Sequence, residues 1–138
     1  MPTGFRVALA LGALAAPLAA QARPDTLPVV VAQKQIDAFN RRDIDGFMAV
    51  YAPDAVVMEF PSGKVLWQGQ AAIRAHYAGV LKDLPADFPP VRIEPRVIDG
   101  SFVIENERWD AKPGERNQAI WMYEIRGGLI RRVWTVRL

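Results

Sequence analysis

The chain has 138 residues, 51% of them hydrophobic and 23% charged, with 17 Lys+Arg against 15 Asp+Glu for a formal net charge of +2. That length holds one core and leaves no room for a second, and the charge balance is too even to attract nucleic acid to the molecule as a whole. With no cysteine and a single histidine, disulfide and thiolate chemistry are excluded, and no zinc, haem or other cofactor is expected.

Met1 to Arg6 is a short positive start, Val7 to Leu18 is almost purely Ala, Leu, Val and Gly, and Ala20-Gln21-Ala22 has the small-x-small spacing of a cleavage site. Residues 1–22 therefore read as a secretory signal peptide, with an uncleaved membrane anchor as the alternative. The apolar run, about 12 residues, is shorter than the roughly 20 needed to span a bilayer. Cleavage removes Arg6 alone among the charges. A nearly neutral domain, residues 23–138, is then expected outside the cytoplasm, periplasmic or secreted, with no stable membrane association.

Pro28 suits the first turn of a helix, and Val29, Ala32, Ile36 and Phe39 then recur at helical spacing up to Asn40-Arg41-Arg42. Asp43 caps a second short helix whose inner face carries Ile44, Phe47, Met48 and Tyr51, and Pro53 stops it. Asp43-Ile44-Asp45-Gly46 is read as this cap and not as a calcium loop, because the further acids such a loop needs are missing. Ala55 to Phe60 alternates as a strand, with Ala55, Val57 and Glu59 on one face. A Pro61-Ser62-Gly63 turn leads to a brief strand, Val65 to Trp67. Gly69 opens a third helix with Ile73, Tyr77, Val80, Leu81 and Leu84 on one stripe and His76 at its border. From Val91 the period becomes two: strands over 91–98, 101–110, 117–126 and 129–137 are separated by Asp99-Gly100, Lys112-Pro113-Gly114-Glu115 and Gly127-Gly128 turns. Pro95 requires a bulge or a sheet edge. The whole is an α+β pattern, helices on one side of a curved, mostly antiparallel sheet.

Phe39-Asn40-x-x-Asp43-Ile44-Asp45, Tyr51-Ala52-x-Asp54-Ala55, Gly69 with Ile73, and Tyr123-Glu124-x-x-Gly127-Gly128-Leu129-Ile130, in this order, resemble the NTF2-like superfamily, in its SnoaL-like branch with the ketosteroid isomerases. The resemblance covers residues 28–137. It implies an NTF2-like cone, three helices on a strongly bent sheet with an apolar pocket between them, and a homodimer built through the sheet face. It also implies that Glu59 stands where isomerase-like members carry a catalytic aspartate. Their oxyanion-binding tyrosine has its counterpart in Gln35, and their acid in Ala119 or Ile120, so faithful ketosteroid isomerisation is not expected. On the strand after Asp99-Gly100 the resemblance implies a polar pair, Asn106 and Glu107, at the pocket. Regular alternation sends only one of two neighbours there, and Glu105, Glu107 and Trp109 read equally as a solvated or dimer-facing row.

The expected function is binding of a small, largely apolar molecule, with isomerase- or cyclase-like proton transfer. Glu59 is the candidate base and His76 a second acid–base group, with Tyr51, Trp67, Tyr77, Asn106, Glu107 and Trp121 as ligand contacts. A non-catalytic binding or interaction module is the alternative. The arginines Arg126, Arg131, Arg132 and Arg137 read as a solvated edge that deters strand pairing.

Overall fold

A computed structural model describes residues 23–136. The expected signal peptide, residues 1–22, and Arg137 lie outside the described residues. Among those described, no helix is long and apolar enough to cross a membrane.

After a 3-10 turn at Pro24–Thr26, helix α1 spans Pro28–Asn40 and buries Val31, Ala32, Gln35, Ile36 and Ala38. Asn40 ends it by acting as a surrogate strand. Its side chain donates to the Val91 carbonyl at 2.9 Å and accepts from the Val91 amide at 2.8 Å, tying the helix to the start of the long antiparallel run. Asp43 caps α2, Ile44–Met48, by accepting from the Gly46 amide at 2.8 Å. A Cβ on Gly46 would meet the same carboxylate at 2.3 Å, so the glycine is part of the cap.

Strand β1 runs Tyr51–Phe60 and starts four residues earlier than the alternation indicates, taking Tyr51 out of the helix expected to hold it. Pro53 is tolerated because the β1–β6 pairing is irregular between Tyr51 and Val56, where no ladder donor is required. β2 (Val65–Gln68), α3 (Gly69–Asp83), β3 (Arg92–Asp99), β4 (Phe102–Arg108), β5 (Gln118–Arg126) and β6 (Leu129–Val136) follow. They form one six-stranded sheet in the order β2-β1-β6-β5-β4-β3. All pairs are antiparallel except β1 with β6.

The arginine-rich last strand is thus central, not an edge. Arg126 and Arg132 both bind Glu124, at 2.7 and 2.9 Å, and Arg131 reaches Asp54 at 3.4 Å. β3 is an edge strand and also bulges between Ile93 and Arg96, so Pro95 meets both conditions it imposes.

α1 lies against β4 and β5, and α3 against β1 and β2. The register sorts the inner face into rows. Trp67, Val57, Val133, Tyr123, Val103 and Ile98 are successive cross-strand partners over all six strands. Val57, Val103 and Val133 are fully buried against Phe47, Ile73 and Tyr77. The outer face has its own continuous row of partners, Val65, Met58, Trp134, Met122, Ile104 and Val97, with its two end valines about half exposed, at 50% and 53%.

Candidate functional site

Two residues further along each strand, the inner face turns polar. Glu59, Thr135, Trp121, Glu105 and Arg96 are cross-strand partners from β1 to β3, and Glu107 lies opposite Ala119 in the next row. Burial falls toward this end: Glu59, Thr135, Trp121 and Glu107 are partly exposed, as are Trp67 and His76 beside them. These partly exposed side chains, with the fully buried Glu105 among them, form the rim of the inner face.

Aromatic rings connect the rim to the core. Trp67 stacks on His76 with centroids 3.7 Å apart and planes at 15°, and the edge of Tyr77 meets His76 at 5.0 Å. Phe47 bridges inward, 4.5 Å from Tyr77 and 5.3 Å from Tyr51. Gln35, in the position expected to lack a tyrosine, donates to the Tyr51 hydroxyl at 3.4 Å. A phenol therefore does stand at this point of the cone, carried by β1 instead of α1.

Burial pushes the ionisations of Tyr51, Tyr77 and Tyr123 upward, reinforced by the negative charge of Glu107 nearby. All three are neutral donors at physiological pH. Desolvation depresses the His76 imidazole, which favours its uncharged form against the Trp67 face.

Glu107 is the most perturbed carboxyl of the rim. Desolvation, then repulsion from Glu105, pushes it up to about 8, against a partial offset from the hydrogen bond that the Trp121 indole donates. At pH 7 it is about nine-tenths protonated, an acid with a proton to donate. The expected alternative, a solvated or dimer-facing row, is overturned for this pair: Glu105 is fully buried and Glu107 points to the inner face with it. Glu107 also supplies what the neighbouring strand lacks, since its cross-strand partner is Ala119, where an acid was looked for and not found.

Of the expected site residues, Tyr51, Trp67, His76 and Tyr77 come together as one aromatic group, and Glu107 and Trp121 as a hydrogen-bonded pair. Glu59 stands in the same cross-strand row as Trp121, three strand spacings from β4, or roughly 14 Å along the sheet. Asn106 is not brought to this face. β4 pairs with β5 without a bulge, so Asn106 sits opposite Ile120 on the outer side. Sequence reasoning missed Arg96 and Tyr123; the Val103-x-Glu105-x-Glu107 alternation was the available signal for the inward acids.

Several clefts lie elsewhere. One of about 610 Å³ is lined by Asp54, Glu124 and the arginines of β5 and β6. Another, of about 480 Å³, lies between the 3-10 turn, α1 and the Gly127-Gly128 turn. His76 also borders an open cleft of about 450 Å³ with Val80, Asp83 and Leu84. Among the described residues no cluster of His, Asp and Glu is placed to hold a metal ion.

Known structures share this architecture. An NTF-2 like protein of unknown function from Burkholderia xenovorans superposes with a TM-score of 0.62 at 16% identity, covering 78% of this chain and 80% of its own. A candidate polyketide cyclase from Sinorhizobium meliloti gives 0.62 at 24% identity over 76% of this chain and 92% of its own. A candidate ketosteroid isomerase from Kribbella flavida gives 0.59 at 22% identity, over 79% and 76%. At such identities these likenesses establish the NTF2-like cone alone. The SnoaL-like domain family matches residues 32–133, most of the chain. The protein belongs to the SnoaL-like domain family.

Proposed function

We propose that the rim of the cone binds a small, largely apolar carbonyl compound. Glu107 donates a hydrogen bond to the carbonyl oxygen, and Glu59, from the neighbouring row on β1, moves the proton on the adjacent carbon. The observation that carries this reading is Glu107: a carboxyl kept protonated by desolvation on the inner face, beside an indole donor. A neutral acid in a site poor in water stabilises a developing enolate oxygen far better than it stabilises a neutral carbonyl, and that difference lowers a barrier. The buried phenols add apolar surface without adding charge.

The test uses an apolar bicyclic ketone such as 2-tetralone, whose α-hydrogens exchange with deuterium by way of the enolate. The protein should accelerate exchange followed by NMR, with Glu59→Gln and Glu107→Gln each lowering the rate at least tenfold while the near-ultraviolet dichroism stays native. Binding of the ketone without accelerated exchange would leave the non-catalytic binding module as the function. Equal rates in wild type and both variants would remove the two carboxyls from the chemistry.

We propose further that the outer face pairs with a second copy, and that residues 1–22 are cleaved on export. The dimer is favoured by the uninterrupted row from Val65 to Val97, with Ile104 39% exposed within it, since apolar rows of this extent rarely stay uncovered. Ile104→Glu should convert a dimer to a monomer in sedimentation equilibrium, and a wild-type monomer would exclude the pairing. Intact mass of the exported protein should begin at Arg23.

A further inference from the structure

β4 carries two inward carboxyls, and they do not stand in equal surroundings. Glu105 is fully buried, and its Oε1 accepts from Arg96 Nε at 2.7 Å. Glu107 lies two residues on, on the same face and roughly 7 Å along the strand, with Trp121 as its donor. Arg96 reaches Glu105 only because β3 bulges at Glu94-Pro95. The register slips between Ile93 and Arg96, and Arg96 then becomes the direct partner of Glu105. A guanidinium with 17% of its side chain exposed is thereby aimed under the sheet.

We propose that Arg96 is a positioning residue that decides which of the two acids keeps the proton, fixing Glu105 as the carboxylate so that Glu107 remains the acid. This rests on the reading of Glu107 as the working donor. Two carboxyls this close, one of them fully buried, cannot both ionise freely, so a single cation bound to one settles the order. Arg96 is bound to Glu105, and the groups that face Glu107 supply no cation among the described residues. They are Tyr51 from β1, Tyr77 from α3, Tyr123 and Trp121 from β5, and Glu105 on its own strand. The positive charge coupled to this group is therefore the one held by Glu105. Buried atoms left without partners mark the same place: Glu105 Oε2 and Arg96 Nη2.

The two possible roles of Arg96 predict opposite signs. If Arg96 acted directly on Glu107, removing a cation would raise the pH at which Glu107 ionises. If it acts through Glu105, the unpaired buried Glu105 takes up a proton, repulsion on Glu107 disappears, and Glu107 ionises at lower pH. The measurement is a carbon-13 NMR titration of assigned glutamate side-chain carboxyls, in the absence of any ligand. In wild type the Glu107 midpoint should lie at about 8. In Arg96→Gln it should fall, with burial still holding it above the ordinary carboxylate range, while that of Glu105 rises. A Glu107 midpoint that rises or stays put overturns the proposal. Should Arg96→Gln fail to fold, Glu105→Gln carries the test, being neutral and of the same shape. There the Glu107 midpoint must fall, and an unchanged midpoint overturns the proposal equally. Because no ligand is present, failure of the carbonyl-binding reading leaves this result standing, and the reverse holds too.

Discussion

Replacing Glu107 by glutamine should remove a pH dependence from the stability of the fold. Glu107 moves from an ordinary 4.5 to about 8 in the folded protein, so the native state holds this proton more tightly than the unfolded chain does. Its contribution is complete below the unfolded value and is lost as pH rises through the folded one. The slope per proton is about 1.4 kcal/mol per pH unit, which over the whole interval sets an upper bound of about 5 kcal/mol. Residual solvent around a partly exposed side chain brings the expected loss to about 3 kcal/mol. Unfolding free energies of the wild type from urea titrations between about pH 5 and pH 9 should fall by that amount. The substituted amide cannot titrate and keeps the side chain's shape, so the variant should lose this component of the slope and should overtake the wild type at the alkaline end. His76, depressed by burial, has the opposite sign: its stabilisation is lost as pH falls through its folded value, on the acid side of this window. Parallel profiles for wild type and Glu107→Gln would refute the assignment of the buried proton.

Asn40→Ala removes both hydrogen bonds to Val91 and leaves the partly buried backbone groups there unpaired; a loss of about 2 kcal/mol in thermal unfolding is expected, with faster amide exchange at Val91. Gly128 has φ of +76°, and a Cβ there would stand 2.8 Å from Thr26 Cγ2. Gly128→Ala should therefore cost clearly more than Gly63→Ala, where φ is +70° with open space around it and only the left-handed strain of about 1 kcal/mol applies. Phe47→Ala, at a ring 1% exposed and packed on Phe39, Tyr51 and Tyr77, should lose about 3 to 5 kcal/mol in chemical denaturation.

Local signals in this sequence carried the fold because each corresponds to a physical contact. Asp43 is a cap and Asn40 a strap to Val91, so the spacing between them is imposed by the α1–α2 corner. Glycines at 100, 127 and 128 all take positive φ, which is why the turns were legible. Legibility ended where a distant strand decides the outcome. Tyr51 satisfies a helical stripe, yet Val50 accepts from the Ile130 amide at 2.8 Å and the chain is already extended there. The inward direction of Glu105 and Glu107 depends on the β4–β5 register, and alternation alone fits either face. Arg96 was out of reach altogether: its placement needs a bulge whose position Pro95 permits without choosing which neighbour turns inward.

The parallel pairing of β1 with β6 sets the order in which this molecule can be completed. β6 lies between β1 and β5, so this strand is the seam joining the β2–β1 hairpin to the β3–β4–β5 meander. Until it arrives, Val57 and Tyr123 lack their shared partner Val133, and neither half of the barrel-like wall is closed. A chain made from its N-terminus holds no complete sheet before β6 is available, and long-range closures of this kind are slow. The sheet consequently stays open until β6 is available, and a truncation within β6 should leave two unjoined half-sheets instead of a smaller native fold.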